Sequence, residues 1–201
     1  MDHSTVLHDP LFNWGRTWFR WRSLSPVPFF VLMTLLRPEF EWSHAGWLVP
    51  VAIILLAECL RLWAVGYAGG RTRTRGDTVP ELIHSGPYRY CRNPIYLGNI
   101  LLYSFSALLF GFIQLALILT VYSCIQYIFI VHYEETLLKQ TFGAFYLDYQ
   151  MSVPKWIPSF RAYPKGIQTF KWRKALRSER STFMTMAALL IIYLLKQRWL
   201  Q

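Results

Sequence analysis

The chain has 201 residues, 54% hydrophobic, 17% aromatic and only 16% charged, with a formal net charge of +10. A charged fraction well below the roughly one quarter of average soluble domains speaks against a water-soluble fold and for a membrane protein. The basic residues flank apolar runs instead of covering a soluble surface, which removes nucleic acid as the reason for the charge.

In chain order, residues 1–23 place Arg16, Arg20 and Arg22 among tryptophans, with no apolar stretch leading to a small-residue cleavage site. A retained N-terminus is expected. The run "SPVPFFVLMTLL" at 25–36 is short, and reads either as a span helped by snorkelling neighbours or as a helix in the interface. Residues 46–67, "GWLVPVAIILLAECLRLWAVGY", form the surest span, since about 20 residues at the helical rise cross roughly 30 Å of hydrocarbon. Glu58 and Arg61 inside it stand three apart on one face, where pairing lowers the cost of burying either.

The apolar block at 95–133 is about twice a span, and Gly111 with Gln114 gives it a turn. It reads as a hairpin of helices at 95–110 and 112–131. From Glu134, "EETLLKQTFGAFYLDY" sets Leu137, Leu138, Phe142, Phe145, Tyr146 and Tyr149 at helical spacing, which predicts an amphipathic helix lying along the membrane surface. "VPKWIP" then stops it. The basic run "KWRKALRSER" suits anionic headgroups and precedes a second short apolar segment at 183–195.

Charge bias orients the chain. With the N-terminal arginines on the cytoplasmic side, 37–45 is an outside loop of little net charge, and 70–92 returns inside with five arginines. The segment after the hairpin carries nine basic residues up to Arg180, also inside. The expected fold is therefore an all-α, multi-pass bundle of four to five spans forming one membrane domain. A bacterial chain of this type would occupy the inner membrane. Cys59, Cys91 and Cys124 are far apart, without CxxC or Cys/His spacing, and receive no disulfide, metal or catalytic role.

The stretch "GPYRYCRNPIYLGN" at 86–99 puts a polar, arginine-rich turn at the mouth of an apolar helix. Gly86-Pro87 is a turn dipeptide, and Asn93-Pro94 reads as an N-cap with proline at the first helical position. Tyr88, Arg89, Tyr90, Arg92 and Tyr96 remain, and belts of arginine and tyrosine at a membrane boundary are common without any ligand. The carboxylates Glu134 and Glu135 return to the same side and depth after the hairpin. They suit a helix start, and they also form, with the arginines, a polar cradle for a charged cofactor.

"SGPYRYCRNPIYLGN", followed after a hairpin by "YEETLLKQTFGAFYLDYQMSVPKWIP", resembles the isoprenylcysteine carboxyl methyltransferase family and the related membrane phospholipid N-methyltransferases. The resemblance covers about residues 58–158, with the basic tail and apolar segment at 161–201 outside it. It implies S-adenosylmethionine as cofactor, contacted by Leu82, Ile83, Tyr88, Asn93, Pro94, Tyr96 and Glu134, and a lipophilic acceptor entering from the bilayer. Glu134, Glu135 and Arg92 are the candidate catalytic residues. The chain departs from the family where Asn93 replaces a frequent histidine, and where Ile130 replaces an arginine that contacts the acceptor in the eukaryotic enzymes. His132, Arg89 or Arg92 are candidates to take over that contact.

Methyl transfer from a sulfonium is an in-line displacement that needs alignment and exclusion of water, with no protein nucleophile. A carboxylate acceptor would be oriented by arginine, whereas an amine must arrive neutral or meet a base. Two other functions fit the same residues less well: a membrane sterol or enone reductase using NADPH, and a non-catalytic lipid-binding protein.

Overall fold

The computed structural model describes residues 9–42, 45–69 and 81–199. Arg71, Arg73 and Arg75, three of the arginines behind the expected orientation, lie outside the described residues. All regular structure among the described residues is helical: α1 (Pro10–Trp21), α2 (Val27–Leu35), α3 (Leu48–Ala68), a 3-10 turn (Gly86–Arg89), α4 (Pro94–Leu109), α5 (Ile113–Ser152) and α6 (Trp172–Trp199). α4 packs between α3 and α5, α1 lies on the outer side of α5, and α6 lies against α3.

α3 and α5 are long and apolar enough to cross a membrane, and α4 is a shorter apolar helix of 16 residues. α3 coincides with the predicted span. The hairpin turns at Gly111, whose φ of 82° belongs to a backbone region that residues with a Cβ rarely enter. α2, at nine residues, rises only about 14 Å and is too short to span. The segment at 183–195 is continuous with the basic run before it, both lying within the 28 residues of α6.

The helix predicted from Glu134 onward is not a separate surface element. Helical structure runs straight through Glu134 as part of α5, and its 40 residues are two helices that meet at a kink at Gly143, where the backbone is non-helical (φ 50°, ψ −125°). Up to that kink, at 1.5 Å per residue, it is roughly 45 Å long, more than the hydrocarbon thickness of about 30 Å, so one end has to extend beyond an apolar layer of that depth. The expected apolar face is largely covered by protein: Tyr146 and Tyr149 pack with Leu82, Val153 and Tyr163, with the partly buried Leu138 and Phe142 beside them, while Phe145 stays exposed.

An amphipathic helix does occur elsewhere, as α1. Asp9 caps it by accepting from the Leu11 amide (2.9 Å), and Pro10 takes the first turn. Phe12, Gly15 and Phe19 face inward at helical spacing. Phe12 and Phe19 both meet the ring of Tyr133 on α5, at 4.9 and 5.4 Å between centroids.

Candidate functional site

The residues 86–93 form a rigid turn because a second segment, 149–163, is laced along them. Arg92 N donates to Pro154 O (3.0 Å), Ser159 N to Tyr90 O (2.8 Å) and Tyr163 N to Arg89 O (2.9 Å). The Tyr149 hydroxyl donates to Tyr88 O (2.7 Å), and the Arg92 Nη1 to Gln150 O (2.7 Å). The Cys91 thiol is buried against the carbonyl of Trp156 (3.2 Å), and burial pushes its pKa up. Pro94 starts α4 as expected, but Asn93 does not cap with its side chain: Nδ2 donates instead to Lys155 O (3.1 Å).

This lacing brings the two sequence motifs into one wall. A cavity of about 660 Å³ opens between them, lined by Leu82, Ile83, Tyr88, Arg92, Asn93, Tyr96, Glu134 and Glu135, a size typical of a pocket for a nucleoside-sized ligand. Pro94, Arg89 and His132 are not on its lining. Pro94 is buried at the helix start. Arg89 Nε donates to Tyr163 O (2.6 Å), which holds the loop, and His132 Nε2 faces Asp9 (3.0 Å) at the start of α1. The substrate contact considered for Arg89 and His132 therefore has no place in this cavity.

The two carboxylates divide their work. Glu135 is paired with Arg92 Nη2 and with Lys155 Nζ, both at 3.0 Å, and so ties α5 to the turn and to the loop after it. Glu134 accepts from the Tyr96 hydroxyl (2.9 Å), and among the described residues no ion pair engages it. Tyr96 is itself fixed by stacking on Tyr127, 4.6 Å between centroids and 22° from parallel. Burial, with the charge of Glu134 second, pushes the Tyr88 hydroxyl far above its ordinary range, so it stays a donor at neutral pH.

One positioning residue was invisible in the sequence. Gln168 uses its whole amide on the segment before the turn: Nε2 donates to Leu82 O (2.9 Å) and Glu81 (3.1 Å), and Oε1 accepts from the Ser85 hydroxyl (2.6 Å). No spacing rule links position 168 to position 82. Arg61 and Glu58 do pair, at 3.2 Å, but the sequence did not reveal that Glu179 of α6 also meets Arg61.

The donor set fits S-adenosylmethionine. Glu134 is an unpaired carboxylate for its ammonium or ribose hydroxyls, Arg92 Nε is a buried donor without a partner, and tyrosines offer ring faces.

The chain is 30% identical over 69% of its length to the nickel-cobalt-cadmium resistance protein NccN of Alcaligenes xylosoxydans xylosoxydans, covering 62% of that protein. It is 27% identical over 67% of its length to the cobalt-zinc-cadmium resistance protein CzcN of Cupriavidus metallidurans, covering 61%. The chain thus spans about three fifths of the length of these curated relatives. No solved structure matches it. The phospholipid methyltransferase family model matches residues 46–144, from the start of α3 to the kink in α5, and through that segment, just under half of the chain, the chain is similar to this family.

Proposed function

We propose that the protein transfers the methyl group of S-adenosylmethionine to a lipophilic acceptor, an isoprenylcysteine-type carboxylate or a lipid amine, at the cytoplasmic face of a bacterial inner membrane. The cofactor, when bound, supplies an electrophilic methyl group on a sulfonium. The observation that carries the reading is Glu134: a cavity carboxylate engaged by one tyrosine hydroxyl, next to a twin already neutralised by Arg92 and Lys155.

In this reading Glu134 and Tyr88 bind the polar parts of the cofactor, Tyr96 holds Glu134 in place, and Leu82 and Ile83 form the edge that Gln168 fixes. Arg92 and Glu135 are positioning residues that keep the turn against α5. α1 and α2 cover the cavity with Phe19, Pro26 and Phe30 and exclude water from the site. The acceptor reaches the site laterally, between helices.

The test is transfer of a labelled methyl group into extracted membrane lipid or added prenylcysteine, with binding of S-adenosylhomocysteine measured by calorimetry. The intact protein is expected to label an acceptor, and Glu134→Gln to lose both label and binding. Absence of both from folded intact protein would overturn the reading in favour of a reductase or a non-enzymatic lipid-binding protein.

A further inference from the structure

α1 crosses α5 instead of running along it. Asp9 at its start meets His132 (3.0 Å), and Phe12 and Phe19 both meet the ring of Tyr133. From residue 9 to residue 19 the helix rises about 15 Å, whereas His132 and Tyr133 are neighbours in α5. Gly15 permits the crossing, since an added Cβ there would overlap the Phe129 carbonyl oxygen. The crossing also has a definite depth. The apolar run of α5 ends at Val131, and residues 113–131 rise about 28 Å, one hydrocarbon thickness. α1 therefore sits where α5 leaves the apolar layer. α2 then runs back along that layer, since Phe29 meets Tyr122 (4.9 Å) and Met33 packs with Phe112 and Leu115.

Around its axis α1 has three faces. At about 100° per residue, Phe12, Gly15 and Phe19 form the face packed on α5. Leu11, Trp14, Trp18 and Trp21 fall in a second sector about 80° wide. Of these, Leu11, Trp14 and Trp21 are 50%, 60% and 56% exposed. Asn13, Arg16, Thr17 and Arg20 form the third face, all exposed. Trp18 marks where the second face looks: its ring meets Tyr122, at the middle of the apolar run of α5 (5.7 Å). That is about three turns nearer the middle of the layer than Tyr133. The indole stripe therefore looks toward the apolar layer. Such a stripe is unfavourable in water, and indole suits the level where acyl chains meet headgroups. Pro10–Trp21 contains no carboxylate, so the arginines of the third face give the helix a positive charge that complements lipid phosphates.

We infer that α1 is a lipid-binding interfacial helix: it lies in the plane of the membrane at the boundary of headgroups and acyl chains, with Leu11, Trp14 and Trp21 set into lipid and Arg16 and Arg20 beside lipid phosphates. The same helix carries Phe19 to the cavity, so bilayer and cavity meet on different faces of one element. The inference is independent of the methyltransferase reading, and α1 lies outside the family segment 46–144.

The experiment uses the full chain in nanodiscs of phosphatidylcholine and phosphatidylglycerol, with the exposed Cys59 and Cys124 replaced by serine and the buried Cys91 kept. Single cysteines, Asn13→Cys, Trp14→Cys, Thr17→Cys and Trp21→Cys, carry a bimane label. Quenching is measured with a nitroxide near the headgroup end of the lipid acyl chain and with aqueous iodide. The lipid nitroxide is expected to quench positions 14 and 21 about threefold or more above positions 13 and 17, and iodide to reverse that order. Adding Arg16→Glu and Arg20→Glu to the Trp14→Cys chain is expected to lower its lipid quenching by about twofold. Where one labelled chain does not fold, the other of its pair decides. Positions 14 and 21 as open to iodide as 13 and 17 overturn the inference in favour of a stripe facing water. All four positions shielded from iodide overturn it in favour of a deeply inserted α1. Positions 14 and 21 reached by neither quencher overturn it in favour of a protein partner on the stripe. Unchanged lipid quenching after the two arginine substitutions removes Arg16 and Arg20 from the contact.

Discussion

At the scale of single residues, Glu134 and Glu135 show how neighbours of identical chemistry come to differ. Successive helical residues point about 100° apart, so α5 turns one carboxylate to the Tyr96 hydroxyl and the other to Arg92 and Lys155, though both line the cavity. Glu135→Gln leaves the Arg92 guanidinium, whose side chain is 8% exposed, without its main counter-charge. That should cost on the order of 3 kcal/mol and show as a lower thermal unfolding midpoint. Glu134→Gln removes no ion pair, so its midpoint should stay close to that of the intact protein while S-adenosylhomocysteine binding is lost. Equal midpoints for the two variants would contradict this division. Cys91 supplies a second check. Its pKa is raised by burial, so the reactive thiolate is scarce near neutral pH, and N-ethylmaleimide should label it slowly at pH 7 and rapidly only once the chain is denatured. Fast labelling of Cys91 in the folded protein would show that the turn opens. Both roles depend on direction and burial, and neither can be read from the letters "EE" or "YCR".

Among the elements, α3 and α4 approach each other closely at Gly98. A methyl group there would lie 2.6 Å from Arg61 Cγ and 3.1 Å from the Ala57 carbonyl oxygen. Alanine is favoured over glycine inside a helix by about 1 kcal/mol, and overpacking costs typically about 1–3 kcal/mol. Backbone oxygen cannot yield as a flexible side-chain end can, so the clash should win. Gly98→Ala is expected to lower the unfolding midpoint. A midpoint that rises would mean that the helices separate at little cost. The hairpin was legible because glycine and glutamine interrupt a continuous apolar run at Gly111 and Gln114. The long α5 was not, because its polar residues from Glu134 onward resemble the start of a new helix, whereas the backbone continues through them to Gly143.

For the whole molecule, α6 closes the inner cavity and supplies a partner to Arg61 from 118 positions away in the chain. A chain ending at Lys171 should therefore leave Arg61 with Glu58 as its remaining counter-charge and lower the unfolding midpoint, while residues 81–163 still assemble the cofactor end. An unchanged midpoint would show that α6 adds nothing to the bundle, and thermal unfolding of the two chains decides it. From the sequence alone came the apolar character, the α3 span, the α4–α5 hairpin, and the two motifs whose residues line one cavity: all follow from composition, local periodicity and short motifs, which act over a few neighbouring residues. Only the tertiary structure separated Glu134 from Glu135, moved Arg89 and His132 off the cavity, recruited Gln168 to the cofactor edge, and set Glu179 against Arg61. Those assignments are pairings between distant positions, and a partner's identity is decided by which faces the packed helices bury together, which no local pattern encodes.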